Sequence, residues 1–275
     1  MEMNPASQFA TSNDGTRIAY QQLGQTSQQP TLVMIVGLSG VKEDWQPLST
    51  NLAKHRHVVV IDNRGIGESD VAPGPYTPLM QANDVLAVVD TLGLTQFDLL
   101  GHSMGGMIAQ TFALNYPQRV RKLILASTSH GGPNQAPVKP ESLQAFQTNP
   151  TASAYEKAAK VMEVNFSPEW IHQHPSDFET IVKTSLNYKR SGRGVMAQMA
   201  AAATFNAEEE IKTLNMPVLI IYGSDDQLLD HQNGVLLREK IPGARLVSIE
   251  KAGHLTWLMD NGQTEQAIEK FLNAP

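Results

Sequence analysis

The chain has 275 residues, 41% of them hydrophobic, which is enough to bury a large core within a single α/β unit. Its net charge of −6 comes from 21 basic and 27 acidic residues, and no Lys/Arg-rich run gives nucleic acid any support as a partner. Cysteine is absent, so disulfides, thiolate catalysis and cysteine-based zinc sites are excluded.

The N-terminal stretch MEMNPASQFATSNDG is polar and has no apolar segment of signal-peptide type. No run of about 18 apolar residues follows, so no membrane span is expected, and a cytoplasmic location is the expectation. TRIAYQQL (16–23) alternates and reads as a strand. TLVMIV (31–36) and HVVVID (57–62) are continuous apolar runs of the kind buried on both faces of a parallel sheet. FDLLG (97–101), KLILAS (122–127), PVLIIYG (217–223) and ARLVSIE (244–250) repeat that pattern. Helical patterns lie between them at 47–54, 79–93, 105–117, 233–243 and 264–274. Gly93 stands where a helix C-cap is expected, and Pro117 where a helix must stop. Alternation of strand and helix with short connections predicts a mostly parallel sheet covered on both faces.

The rhythm breaks between about 129 and 211. SHGGPNQAPVKP is loop-like, and SLQAFQ, AYEKAAKVMEV, SDFETIVKTSLNYK and GVMAQMAAAATF are helical patterns with no strand between them. The predicted organisation is a core of 1–128 and 212–275, interrupted by a helical insertion over 129–211.

FDLLGHSMGG reads as strand, sharp turn, helix, and contains G-x-S-x-G as Gly101-His102-Ser103-Met104-Gly105. A turn this tight drives the central residue into a positive-φ conformation and leaves no room for side chains two residues to either side. It lifts a serine hydroxyl above the sheet edge, at the N-terminus of the next helix, where negative charge is favoured. A serine N-cap eased by glycines is the plainer reading. The other residues of the constellation favour the nucleophile. A serine needs a base, and the base an orienting carboxylate. YGSDDQLLD (222–230) places aspartates after one buried strand pattern, and KAGHLTWL (251–258) places His254 after the last. The order Ser, Asp, His and the position at strand C-terminal ends are those expected of an open α/β sheet with a nucleophilic serine.

With these residues in view the chain resembles the α/β-hydrolase superfamily, in its group with a helical cap. The resemblance spans nearly the whole core. It is carried by the elbow, by Gly223 to Asp226 as G-x-x-D, by Gly253-His254, and by DNRGIGESD (62–70), which is similar to the D-x-R-G-x-G-x-S loop of many relatives. It implies an eight-stranded, mostly parallel sheet with flanking helices and the cap inserted after strand 6. It implies Ser103 as nucleophile, His254 as general base and Asp226 as orienting acid, with Asp225 the alternative acid one residue away and Asp230 a helix-start residue. The oxyanion hole would use the backbone N–H groups of Met104 and, by resemblance, Leu38. Many relatives carry His-Gly where this chain has Val36-Gly37, a change that leaves the backbone donor in place. His102 is expected to pack or bond locally. The Arg64-Gly65-Ile66-Gly67 turn is expected to be structural.

No dinucleotide fingerprint, P-loop lysine or H-E-x-x-H arrangement occurs, so neither cofactor nor metal is expected. Met162, Met196 and Met199 in the insertion are candidate substrate contacts, because methionine adapts to varied apolar ligands. Packing on the core is their alternative. The expected partner is a small apolar ester or lactone. Carbon–carbon bond hydrolysis, thioester cleavage and perhydrolysis share the same constellation, and a small-molecule receptor of the same fold is the non-enzyme alternative.

Overall fold

The computed structural model describes residues 6–25, 29–147 and 151–274. Eight strands form one sheet: β1 (Gln8–Thr11), β2 (Arg17–Leu23), β3 (Leu32–Ile35), β4 (Val58–Ile61), β5 (Phe97–His102), β6 (Val120–Ala126), β7 (Val218–Gly223) and β8 (Arg245–Ile249). Their spatial order is β1-β2-β4-β3-β5-β6-β7-β8. The β1–β2 and β2–β4 pairs are antiparallel and every other pair is parallel.

Alternation along the central strands divides the interior in two. Val33 and Ile35 of β3, Val59 and Ile61 of β4 and Leu99 of β5 face α2 (Pro78–Thr91) and α3 (Met104–Asn115), meeting Val85, Val88, Ile108 and Phe112. Leu32, Met34, Val58, Val60 and Leu100 face the other way, toward Trp45, toward Leu48 and Leu52, and toward Ile268 and Phe271 near the C-terminus. Those last four residues belong to the short helix Leu48–Leu52 and to the helix Gln263–Asn273. Because both faces are covered, these strands read as unbroken apolar runs.

Two strands depart from expectation. β8 is the sheet edge and is largely half-exposed, so ARLVSIE is not buried on both faces as its apolar run suggested. Conversely, β2 is buried along most of its length: it is an interior strand between β1 and β4, and its Ile18 and Tyr20 join the core cluster with α2. β1 itself carries only one buried residue, Ala10, and is held by its backbone ladder.

The chain order creates a crevice at one place. β3 leads to β4 on one side, whereas β5 leads to β6 on the other, so the loops leaving the C-terminal ends of adjacent β3 and β5 diverge. Between β6 and β7 the described residues form helices and, apart from two isolated bridges, no strand. In chain order they are Pro140–Gln144, Ala154–Glu163, Pro168–Gln173, Pro175–Ser185 and Gly192–Ala203. With the helix at 48–52 counted as α1, these are α4 to α8. The helices Gln232–Lys240 and Gln263–Asn273 are then α9 and α10. α6 was not anticipated, although its start is written plainly: Ser167 accepts the Trp170 N–H at 3.2 Å and Pro168 occupies the first helical position. Among the described residues, no helix is long and apolar enough to cross a membrane.

The DNRGIGESD loop is an ionic anchor. Arg64 is fully buried and donates from Nε and Nη2 to the two carboxylate oxygens of Asp84, both at 2.6 Å, with Nη1 on Asp14 at 2.8 Å. Asp62 accepts from the Lys42 backbone and ammonium and from the Glu68 N–H. At Gly67 (φ +61) a Cβ would collide with the Asp62 carboxylate, so the turn requires glycine. Asp84→Ala should lower the unfolding free energy by about 3–5 kcal/mol, because it strands a buried guanidinium. Urea unfolding of the variant against the parent checks this, with Asp90→Ala on the same helix as a near-neutral surface control.

Candidate active site

The serine expected at the elbow sits between β5 and α3 with φ 56° and ψ −123°. This left-handed conformation costs a non-glycine residue about 1–3 kcal/mol and persists only where its surroundings fix it. Hydrogen bonds and close backbone approach fix it here. The Ser103 N–H donates to Ala126 O at 2.9 Å, and the Ser103 carbonyl accepts from Gly106 N at 2.9 Å and from Thr128 Oγ1 at 2.7 Å. A Cβ at Gly101 would collide with the Gly105 carbonyl, and one at Gly105 with the carbonyls of Ile35 and Val36. The two glycines of G-x-S-x-G are thus required by backbone approach on either side of the serine. A Cβ at Gly37 would lie 2.9 Å from Ser103 Cβ, which brings the β3 loop against the elbow.

Asp226 follows β7 and His254 follows β8. At Gly223, where β7 ends, a Cβ would collide with the carbonyls of Ala252 and Gly253, so the two loops run in backbone contact. The Asp226 Oδ2 accepts from His254 Nδ1 at 2.7 Å. Its Oδ1 accepts the backbone N–H groups of Leu228 and Leu229, both at 2.9 Å. Both oxygens are therefore engaged, which fixes its rotamer. Asp225 turns away and accepts from Gln227 Nε2 at 2.6 Å, so the structure brings Asp226, not its neighbour, to the imidazole. Asp230 accepts the Gln232 N–H at 2.8 Å at the start of α9. His254 is buried, and its Nε2 has no hydrogen-bond partner among the described residues. With Nδ1–H given to Asp226, that nitrogen carries a free lone pair.

His102 does more than pack locally. Its Nε2 donates to the His254 carbonyl at 3.1 Å, across 152 positions of sequence, and the two rings meet edge-on at 4.6 Å. Trp257 closes edge-on at 5.0 Å. Burial, and secondarily the neighbouring His254, push His102 well below the ordinary histidine pKa, so it stays neutral. No motif marked this role, because the partner is a backbone atom of a distant loop.

The β3 loop carries Leu38, half-buried, and then Ser39 at φ 59°. Among the described residues neither the Leu38 nor the Met104 backbone N–H has an acceptor. Val36 is 3% exposed and packs into the core with Trp45 and Leu48, which is why an apolar side chain stands there. Its carbonyl accepts Asn63 Nδ2 at 2.8 Å.

The three methionines do not act together. Met162 packs with Phe166, Phe178 and Val182 in a cluster among the inserted helices. Met196 is 65% exposed on α8, so it does not form the wall of an enclosed pocket, a correction to the sequence reading. Met199 is half-buried. The large core cluster that contains Met104 also holds, among many others, Leu38, Val138, Phe205, Leu228 and Leu229. A groove of about 620 Å³ lies elsewhere, against Glu169, Trp170, Lys251, Trp257 and Glu265, and touches none of Ser103, Asp226 and His254.

A strained serine above a parallel sheet, with a buried Asp–His pair on the next loops, is the arrangement of a hydrolase built on an α/β scaffold. The family model for the alpha/beta hydrolase fold matches residues 30–258, and the chain belongs to that family. It is 26% identical over 257 residues to a protein of Pseudomonas savastanoi pv. phaseolicola named as the carbamate hydrolase RutD, covering 91% of this chain and 96% of that one. It is 29% identical to a 2-hydroxy-6-oxononadienedioate/2-hydroxy-6-oxononatrienedioate hydrolase of Burkholderia vietnamiensis, covering 88% and 86%. A solved thermophilic esterase from Thermogutta terrifontis superposes with a TM-score of 0.81 at 25% identity, covering 98% of each chain.

Neutral, buried His102 makes acid unfavourable for the fold. Its pKa in the folded state lies below the ordinary 6.5, so below that pH the unfolded chain takes up a proton that the folded chain refuses. Stability is therefore highest above pH 6.5 and falls as pH drops, by at most about 1.4 kcal/mol per pH unit from this one group. Urea midpoints from pH 7.5 to 5 should fall less steeply for His102→Asn than for the parent.

Proposed function

We propose that the chain is a serine hydrolase of small carboxylic esters or lactones. The observation that carries this reading is the conjunction of a strained, buried Ser103 with a His254 whose Nδ1 is held by Asp226 and whose Nε2 is unpartnered among the described residues. In this reading the Ser103 hydroxyl oxygen attacks the substrate carbonyl carbon as His254 Nε2 takes its proton. The carbonyl oxygen becomes an oxyanion held by the Leu38 and Met104 N–H groups, which have no other acceptor. His254 then gives its proton to the departing alkoxide as the carbon–oxygen bond breaks. Water, deprotonated by the same nitrogen, cleaves the acyl-serine and restores the hydroxyl. Asp226 fixes the imidazole tautomer throughout.

The segment 129–211 is read as a cap that closes over this centre. Its segment near residue 165 touches the loop of the base: the Leu255 N–H donates to Asn165 O at 3.2 Å, and a Cβ at Gly253 would lie 2.7 Å from the Phe166 carbonyl carbon. A neutral acyl group is favoured over a dicarboxylate. The arginines flanking the site loops are already engaged, Arg64 by Asp84 and Asp14 and Arg190 by Asp44 at 3.0 Å. Carbon–carbon bond cleavage by the same residues is the second reading, favoured by the 29% identity to the dienedioate hydrolase.

Both readings are tested with a p-nitrophenyl ester ladder from acetyl to dodecanoyl, a lactone panel and a vinylogous diketone. Ester or lactone turnover should exceed diketone turnover, and the reverse order selects carbon–carbon cleavage. Ser103→Ala should cut kcat by at least about 10³-fold, and Asp226→Asn by on the order of 10⁴, since triad members act as a unit. Undiminished turnover by Ser103→Ala overturns the assignment.

A further inference from the structure

The loop after β3 is gripped from outside the sheet. Ser39 follows Leu38 directly, and both of its main-chain polar groups are bonded to side chains that come from between β6 and β7. Its N–H donates to Gln198 Oε1 at 3.0 Å, and its carbonyl accepts Arg190 Nε at 2.9 Å. Gln198 is fully buried in the middle of α8, and its Nε2 donates to the Arg64 carbonyl at 2.9 Å. One amide thus ties the β3 loop to the β4 loop. Arg190 spends its remaining donors on the Ser185 carbonyl and the Asp44 carboxylate.

α8 itself is locked in place. A Cβ at Gly194 would collide with the Gly65 carbonyl, so helix and loop meet backbone to backbone. Arg190 forms a β-bridge with Ile66, and the Gly67 N–H donates to Lys189 O at 3.1 Å. The loop it braces needs bracing. Ser39 is in the left-handed region at φ 59°, where a non-glycine residue stays only if its surroundings hold it. A rotation of that peptide would swing the neighbouring Leu38 N–H.

We infer that Gln198 and Arg190 are positioning residues for the oxyanion donor of Leu38, and that α8 is a fixed part of the catalytic scaffold. They never touch substrate. They hold the Ser39 peptide, and through it the direction of the preceding N–H. This inference rests on the serine-hydrolase reading above. A donor aimed at an oxyanion acts on the transition state and hardly on the bound ester. Losing the brace should therefore lower kcat while leaving KM nearly unchanged.

The test compares the parent, Gln198→Met, Arg190→Lys and Ser103→Ala. Lysine at 190 keeps the charge for Asp44 and withdraws the guanidinium Nε from Ser39. Two rates are measured: steady-state turnover of p-nitrophenyl acetate, and inactivation by diisopropyl fluorophosphate. In the second, Ser103 Oγ bonds to phosphorus, fluoride leaves, the serine proton passes to His254, and the phosphoryl oxygen occupies the oxyanion position. Gln198→Met should lose about tenfold or more in kcat and in inactivation rate, less than deletion of a whole donor. Arg190→Lys should lose less, in the same two quantities. Thermal melting identifies a variant that does not fold, and the inference then stands or falls on the other. A folded variant with parental kcat and inactivation rate overturns the positioning role alone. Equal labelling of parent and Ser103→Ala, or labelling of neither, overturns the serine-hydrolase reading and this inference with it.

Discussion

The site depends on how closely three stretches of backbone approach one another around residue 103. The end of β5, the first turn of α3 and the exit of β3 meet with no room for a Cβ at Gly37, Gly101 or Gly105. Ser103 is left with a conformation that no isolated serine prefers, and its main-chain bonds to Ala126, Gly106 and Thr128 keep it there. The strain is small beside the interactions that enforce it. What it yields is direction: the side chain stands clear of the sheet, at a helix N-terminus, in the crevice where the β3 and β5 loops part.

The charged residues around the centre are almost all spoken for. Asp226 gives one oxygen to His254 and the other to two backbone N–H groups, and Arg64 is shared between Asp84 and Asp14. His102 is kept neutral by burial. The Nε2 of His254 and the amides of Leu38 and Met104, which the proposed mechanism needs, have no partner among the described residues; the buried His102 Nδ1, Ser127 Oγ and His130 Nε2 lack one too. Buried polar groups are ordinarily satisfied, so unsatisfied ones clustered on converging loops mark where a ligand's polar atoms belong.

Much of this was legible in the residues. Strands such as VVVI and LVMI announce themselves because burial on both faces selects β-branched and aliphatic side chains without interruption. The elbow is legible because its sterics demand two glycines at fixed offsets. β1 was not, since QFAT buries only Ala10 and owes its place to backbone pairing with β2, which leaves no side-chain signature. β8 was over-read as buried, because an apolar run does not say which strand lies at the edge. That Asp226 rather than Asp225 meets His254 follows from a loop geometry that spacing alone does not encode. Met196 looked like a pocket residue by type and faces solvent instead, and the grip of Gln198 on Ser39 spans 159 positions, beyond the reach of any local pattern.

The bond from His102 to the main chain of His254 has a mechanical meaning. The residue that precedes the serine on β5 carries the loop of the imidazole, so the two loops form one linkage rather than two independent arms. A shift of the elbow is therefore passed to the His254 loop directly through this bond, not only through the sheet. A buried histidine beside the serine, with no part in the proposed chemistry, thus makes one linkage of the loops that carry nucleophile and base.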